Sequence, residues 1–257
     1  QKADPILEWK TCAISGHPFP IFQSDMDVYS KASLAFAWHN FPIPTPTLCP
    51  EERQRRRLAF RNERKLYRRK CDFSGEIVIS NYSQNKPHKV YASEIWRSDK
   101  RSPLDYGMEF DFTKPFFPQF DVLLQTVPLP SIATRANENS DYVNQCGYSK
   151  NCYLSFNTDF SENCSYCTSA LRCLHCIDVI NAEDCEKCYM SSDIKKSQKV
   201  LYSSNIVSSY NVRYSQSLVG CSSCFGCSNL SNKQYCLFNK QVSKEEFDIF
   251  LTDKMNR

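Results

Sequence analysis

Two pairs of thiols are the first candidates for chemistry. Cys173-x-x-Cys176 and Cys185-x-x-Cys188 have the spacing of paired knuckles around a tetrahedral zinc ion. An iron–sulfur centre would use the same four thiolates. Cys221, Cys224, Cys227 and Cys236 form a second cluster of this kind. Zinc is thus the leading cofactor candidate, ahead of an iron–sulfur centre, with Cys173, Cys176, Cys185 and Cys188 as ligands. The competing expectation is no cofactor, and it comes from what surrounds these residues.

They sit in a twelve-residue period. Cys152, Cys164, Cys176, Cys188, Val200, Val212, Cys224 and Cys236 fall in one column without an insertion. Nine residues on, a second column holds Ser161, Cys173, Cys185, Ser197, Ser209 and Cys221. A third holds Thr158, Ala170, Ala182, Ile194, Ile206, Leu218, Leu230 and Val242, and a fourth Asn157, Ser169, Asn181, Asp193, Asn205, Ser217 and Asn229. The two Cys-x-x-Cys pairs are the same columns one repeat apart, so the repeat alone accounts for their spacing. A fixed period with matched columns marks a solenoid, whose repeats bury their apolar faces only by stacking. Twelve residues are too few for a helix–turn–helix unit, and a run rich in Ser, Asn, Val and Tyr suits strands and turns.

The fold class read from this is mainly β, with a C-terminal β-solenoid over 137–243. The Cys/Val and Thr/Ala/Ile/Leu columns should face inward. The Asn/Ser/Asp column should mark a turn, where these side chains tolerate left-handed backbone. A flattened coil of two repeats is favoured over a coil of one, because twelve residues enclose little room for the many Tyr and Phe. Cys that interchanges with Val and Ser acts as a small buried hydrophobe. The fifteen cysteines are therefore expected to be reduced, in a cytoplasmic protein.

A different chemistry lies upstream. Between 53 and 70 the chain carries Arg53, Arg55, Arg56, Arg57, Arg61, Arg64, Lys65, Arg68, Arg69 and Lys70 against one acid, Glu63. Pro50, Glu51 and Glu52 are helix-start signals, so the spacing predicts a basic helix over 50–70, docked through Leu58, Phe60, Leu66 and Tyr67. Cations crowd several of its faces, and such a helix repels itself unless a polyanion neutralises it. RNA phosphate, the ribosome included, is the natural partner. Outward Tyr202, Tyr210 and Tyr214 would offer rings to bases. The alternatives are a scaffold that docks an acidic protein and a thiol-rich zinc or redox protein.

The positions that must hold this helix read as a duplication. Cys12-Ala13-Ile14-Ser15-Gly16 and Cys71-Asp72-Phe73-Ser74-Gly75 are each followed by an alternating apolar run. Both look like zinc-ribbon knuckles with ligands lost. Cys12 and Cys49 remain in the first, with Ser15 and Glu52 where the other two would stand; in the second, Ser74, Ala92 and Ile95 replace all partners of Cys71. A metal-free hairpin held by packing is the favoured reading. The domains that follow are 1–114 (hairpins and basic helix), 115–136 (an amphipathic helix capping the first coil, and a linker), 137–243 (solenoid) and 244–257 (a closing helix with Ser243 as N-cap).

Pro-Thr-Leu-Cys-Pro-Glu-Glu-Arg-Gln-Arg-Arg-Arg from Pro46, Leu-Asp-Tyr-Gly from Leu104, Phe-Asp-Phe-Thr-Lys-Pro-Phe-Phe from Phe110 and Cys-Phe-Gly-Cys-Ser-Asn-Leu from Cys224 extend the pattern along nearly the whole chain. In these the protein resembles a family of zinc-ribbon-like proteins of candidate-phyla bacteria. The resemblance implies a cytoplasmic bacterial protein and carries no chemistry with it. Members with intact Cys-x-x-Cys knuckles look like zinc binders; this chain departs at Ser15, Glu52, Ser74, Ala92 and Ile95.

Catalysis is not expected. There are four His and no His-Glu-x-x-His; six Gly supply neither a Gly-x-Ser-x-Gly elbow nor a phosphate loop. No apolar run approaches the ~20 residues of a membrane span. Net charge is +4, concentrated before residue 137.

Overall fold

Left-handed backbone recurs at every third residue from Gln145 to Phe238. The residue after each such corner points inward, and from Cys146 to Cys227 every one of these is buried. Four corners close a coil in twelve residues, one inward side chain per side. This computed structural model, which describes residues 4–36, 39–59, 62 and 64–255, is mainly β, with about nine turns of β-solenoid between residues 134 and 237.

Strand pairing is parallel and offset by twelve throughout: Phe156 pairs with Thr168, Ile180 with Ser192, Val200 with Val212, Ser204 with Gln216. The coil is therefore one repeat, not the flattened pair expected from the aromatic content. Corners at every third residue turn the chain sharply enough for four sides to close. The rings that seemed to need an interior lie outside, where Tyr202 stacks on Tyr214 with centroids 4.9 Å apart.

A left-handed corner costs a non-glycine residue ~1–2 kcal/mol. The ladder offsets it. Corner N–H groups donate to the carbonyl thirteen residues back, as Tyr166 does to Tyr153 (2.9 Å) and Asn163 to Lys150 (3.0 Å). Asparagine adds a side-chain rung: Asn139 donates to Asn151 (2.8 Å), Asn151 to Asn163 (3.0 Å) and Asn181 to Asp193 (2.9 Å).

Inside, Val200, Ile206, Val212 and Leu218 are fully enclosed, each contributing roughly 1.5–3 kcal/mol. Serine and cysteine do a second job there. Ser149 Oγ donates to the carbonyls of Gly147 and Thr158 (both 3.2 Å) and accepts from Ser161 N–H. Cysteine repeats the donation: Cys146 Sγ lies 3.4 Å from Asn144 O and 3.3 Å from Ser155 O.

The chain divides into two compact units, residues 1–62 and 63–257. The first opens with an antiparallel hairpin, β1 (Ile6–Thr11) and β2 (Pro18–Phe22), continues through α1 (Gln23–Ala32) and a short hairpin, β3 (Leu34–Phe36) with β4 (His39–Phe41), and reaches α2 (Pro50–Ala59). Cys12, Phe19, Ile21, Leu48 and Cys49 form its core.

The second unit begins with the same device. Hairpin β5 (Tyr67–Lys70) and β6 (Ile77–Ser80) precedes β7 (Val90–Tyr91) and α3 (Ser93–Arg97). The backbone bonds match one for one. Cys12 N–H reaches His17 O as Cys71 N–H reaches Glu76 O; Ala13 N–H reaches Thr47 O as Asp72 N–H reaches Val90 O. Arg53 N–H closes on Cys49 O as Trp96 N–H closes on Ala92 O. Gly16 (φ 72°) and Gly75 (φ 75°) close the two knuckles. The duplication read from two Cys-x-x-Ser-Gly motifs is thus a duplication of backbone.

Helix α4 (Phe116–Thr126) forms where expected but buries none of its residues. Phe116, Phe120 and Leu123 border a small hollow shared with Met108 and Phe110. The chain enters the first coil instead through β8 (Leu129–Pro130), paired with β7, and Ser131, whose hydroxyl bonds Ser93. At the other end, α5 (Lys244–Met255) is capped as predicted: Glu246 N–H donates to Ser243 Oγ and Ser243 N–H to the Glu246 carboxylate. Phe247, buried, and Phe250 pack on Tyr235, Phe225 and Phe238 of the last coils.

Candidate nucleic-acid interface

The ten cations expected on one helix are divided between the two units. Helix α2 is described to Ala59, and Tyr67–Lys70 is a strand. The strand forms because alternation wins over charge there: Arg69 turns inward while Arg68 and Lys70 face solvent. Arg61 lies outside the described residues.

On α2, Arg53, Arg55, Arg56 and Arg57 are all exposed. Arg53 sits over the Tyr29 ring at 5.9 Å. Arg55 pairs with Glu52 at 2.8 Å, and the glutamate is the buried partner. No ion pair holds Arg56 or Arg57 among the described residues. The helix start is matched to its charges: its own backbone N–H, then the Cys49 thiol, holds the Glu51 carboxyl below the usual range.

In the second unit Arg64, Lys65, Arg68 and Lys70 are exposed. Arg69 is not a surface cation. It is 3% exposed, donates to Asp72 at 2.9 Å and to the carbonyls of Ser83 and His88, and so braces the hairpin against the loop leading to β7. Sequence reading grouped it with its neighbours because nothing local separates a bracing arginine from a free one.

The first cysteine of each knuckle is held as an acceptor. Cys71 Sγ accepts from Ser74 N–H (3.4 Å) and Ala92 N–H (3.2 Å). Burial works against the thiolate of Cys71, but these bonds and the Ser74 side chain outweigh it and lower its pKa. At Cys12 the same contest, settled by Ser15 and the Cys49 backbone, brings the thiol down to about 6. Ser15 Oγ lies 3.7 Å from Cys49 Sγ, and Glu52 is buried in the same unit.

The solenoid thiols are held the opposite way. Cys173 donates to Leu171 O, Cys176 to Leu174 O, Cys185 to Glu183 O (3.2 Å) and Ile194 O (3.4 Å), and Cys188 to Glu186 O. A zinc site needs thiolates converging on one point. Here the thiols line up along an axis and lie against carbonyls and do not converge on one point. Among the described residues no group of three or more His, Cys, Asp or Glu is arranged to hold a metal ion.

The outward tyrosines are exposed. Tyr202 and Tyr214 stack on each other, and Lys199 Nζ bonds the Tyr210 hydroxyl at 2.6 Å and lies over its ring. A group that sequence reading missed lies where α3 meets the first coils. Trp96, Arg97, Arg135, Gln145, Tyr148 and Phe160 surround a concavity of about 680 Å³. They are far apart in sequence: the register between coils brings Arg135, Gln145, Tyr148 and Phe160 together, and α3 is held beside them by Ser93 on Ser131 and Ile132 and by Trp96 Nε1 on Pro128 O.

No protein-family model matches the chain, and no curated protein matches it. Among the described residues no helix is long and apolar enough to cross a membrane.

Proposed function

We propose that this is a non-enzymatic RNA-binding protein, ribosome association included, which grips phosphate through the arginines of α2 and uses the solenoid as a rigid body. The observation that carries the reading is the run Arg53, Arg55, Arg56 and Arg57, exposed on one short helix, with no ion pair to Arg56 or Arg57 among the described residues. Exposed like charges at this density are stabilised by a polyanion and otherwise repel. Arg64, Lys65, Arg68 and Lys70 add cations in the second unit. Fifteen free, buried cysteines support a reducing, cytoplasmic setting.

The test is a salt titration of RNA binding by the full chain. Replacing Arg53, Arg56 and Arg57 by Glu should weaken binding at least about a hundredfold and flatten the log–log salt slope by roughly two. Unchanged affinity would overturn the proposal. A partner that stays bound after nuclease treatment would favour the acidic-protein reading instead.

A further inference from the structure

The concavity between α3 and the first coils combines cations with aromatic rings. Its cations are Arg97 and Arg135, both exposed and without an acidic partner among the described residues. Its rings are Trp96, Tyr148 and Phe160. Tyr148 and Phe160 are parallel to within 4°, centroids 5.0 Å apart, with the Arg135 guanidinium over Tyr148 at 5.4 Å. Phe160 is 58% exposed. Gln145 contributes a side-chain amide. The one carboxylate in this wall, Asp159, is already committed: it accepts from Gly147 N–H at 2.6 Å.

We infer that this cleft takes one unpaired nucleotide of a single-stranded RNA. Base lies against the rings, phosphate meets Arg97 and Arg135, and the Gln145 amide meets the base edge. The chemistry is that of single-strand recognition, in which every base offers a π-face and every linkage a charge. The adjoining hollow of about 560 Å³ shares Arg97 and Thr134 with the cleft and is bordered by Arg68, which extends the cationic path. It also carries Glu94 and Asp141, so the nucleotide is assigned to the first cleft and not to this one. The inference rests on the RNA reading above and adds to it a preference for unpaired bases.

The experiment compares a short labelled single-stranded RNA with a duplex of the same sequence, using the full chain and three variants. Phe160→Ala should lower single-strand affinity by about 5- to 100-fold, leave the salt slope unchanged and leave duplex binding alone. Phe160→Tyr should retain binding. Arg97→Glu with Arg135→Glu should weaken single-strand binding and reduce the salt slope by roughly 1.4. An unchanged circular dichroism spectrum and Tm certify that the variants fold. Wild-type single-strand affinity in the Phe160→Ala and the double arginine variants, alongside loss in the α2 variant, sinks the cleft and spares the wider proposal. Equal losses for single strand and duplex in Phe160→Ala also sink it. A wild-type chain that binds neither RNA removes both.

Discussion

The knuckles and the solenoid both use buried cysteine, and they use it with opposite polarity. Cys71 receives N–H groups from Ser74 and Ala92; Cys146 gives its proton to the carbonyls of Asn144 and Ser155. The acidities follow at the ends of the contrast: Cys12 is brought down to about 6, whereas burial pushes Cys146 up to about 11 and raises Cys224 and Cys236 too. Within the file of stacked cysteines, hydrogen bonds from neighbouring thiols lower Cys164 and Cys185 instead. The lesson is that cysteine content and spacing do not define a role. The direction of the hydrogen bond does: a thiol facing donors is poised as an anion, and one facing acceptors behaves as a serine with a larger, softer atom.

The harshest way to break this contrast is to put an anion where a donor belongs. Cys176→Asp sets a carboxylate among carbonyl oxygens with no cation near, and should cost about 3–5 kcal/mol or more. Denaturant unfolding followed by circular dichroism would show it, and a stable variant would contradict the polarity argument. The next effect is pH dependence, whose sign differs between the regions. The Cys146 thiol has a folded pKa near 11 against an ordinary 9. Its stabilisation is full below pH 9 and lost as pH rises through 11, about 2–3 kcal/mol at ~1.4 kcal/mol per unit. The Cys12 thiol has a folded pKa near 6. Its contribution is present above pH 9 and lost as pH falls through 6. Amide exchange between pH 6 and 11 should thus show protection rising across residues 12–22 up to pH 9, then falling in the coil that holds Cys146. Parallel trends would refute the assignment. The mildest change is Cys173→Ser, which restores the residue found at Ser161 and Ser197 of the same column. It should shift the unfolding midpoint by the equivalent of less than about 1 kcal/mol; a larger loss would mean the sulfur fills space that a hydroxyl cannot.

Much of the solenoid was legible because its columns are physical columns. The inward faces of Cys164, Val200, Ala182 and Ile206, and the left-handed turns at Asn157 and Asn205, follow from residue type at a fixed offset. What stayed hidden was a shorter rhythm. Corners occur at every third residue, but only one column in four is almost wholly Asn, Asp and Ser; a second mixes Asn151, Asn163 and Asn211 with Lys187, and in the other two Tyr202 and Arg172 adopt the same conformation. Those residues carry no compositional mark of a turn, so coil size was misjudged. The knuckle pair was legible from Cys-x-x-Ser-Gly alone. The basic region was legible as charge but not as structure, since Arg69 differs from Arg68 only by facing Asp72. The cleft could not be read at all, because Arg135 and Phe160 meet through pairing between coils and Arg97 joins them through the docking of α3 on Pro128, Ser131 and Ile132.

That offset also sets the terms on which such a gene can change length. Adding or removing one whole storey leaves every surviving side chain on its own wall. Losing one amino acid would swing each following hydroxyl or sulfur out to water and drive lysines and tyrosines into a shaft barely wider than a valine. From Gln145 to Phe238 the count never slips, so the tower can grow only in full floors.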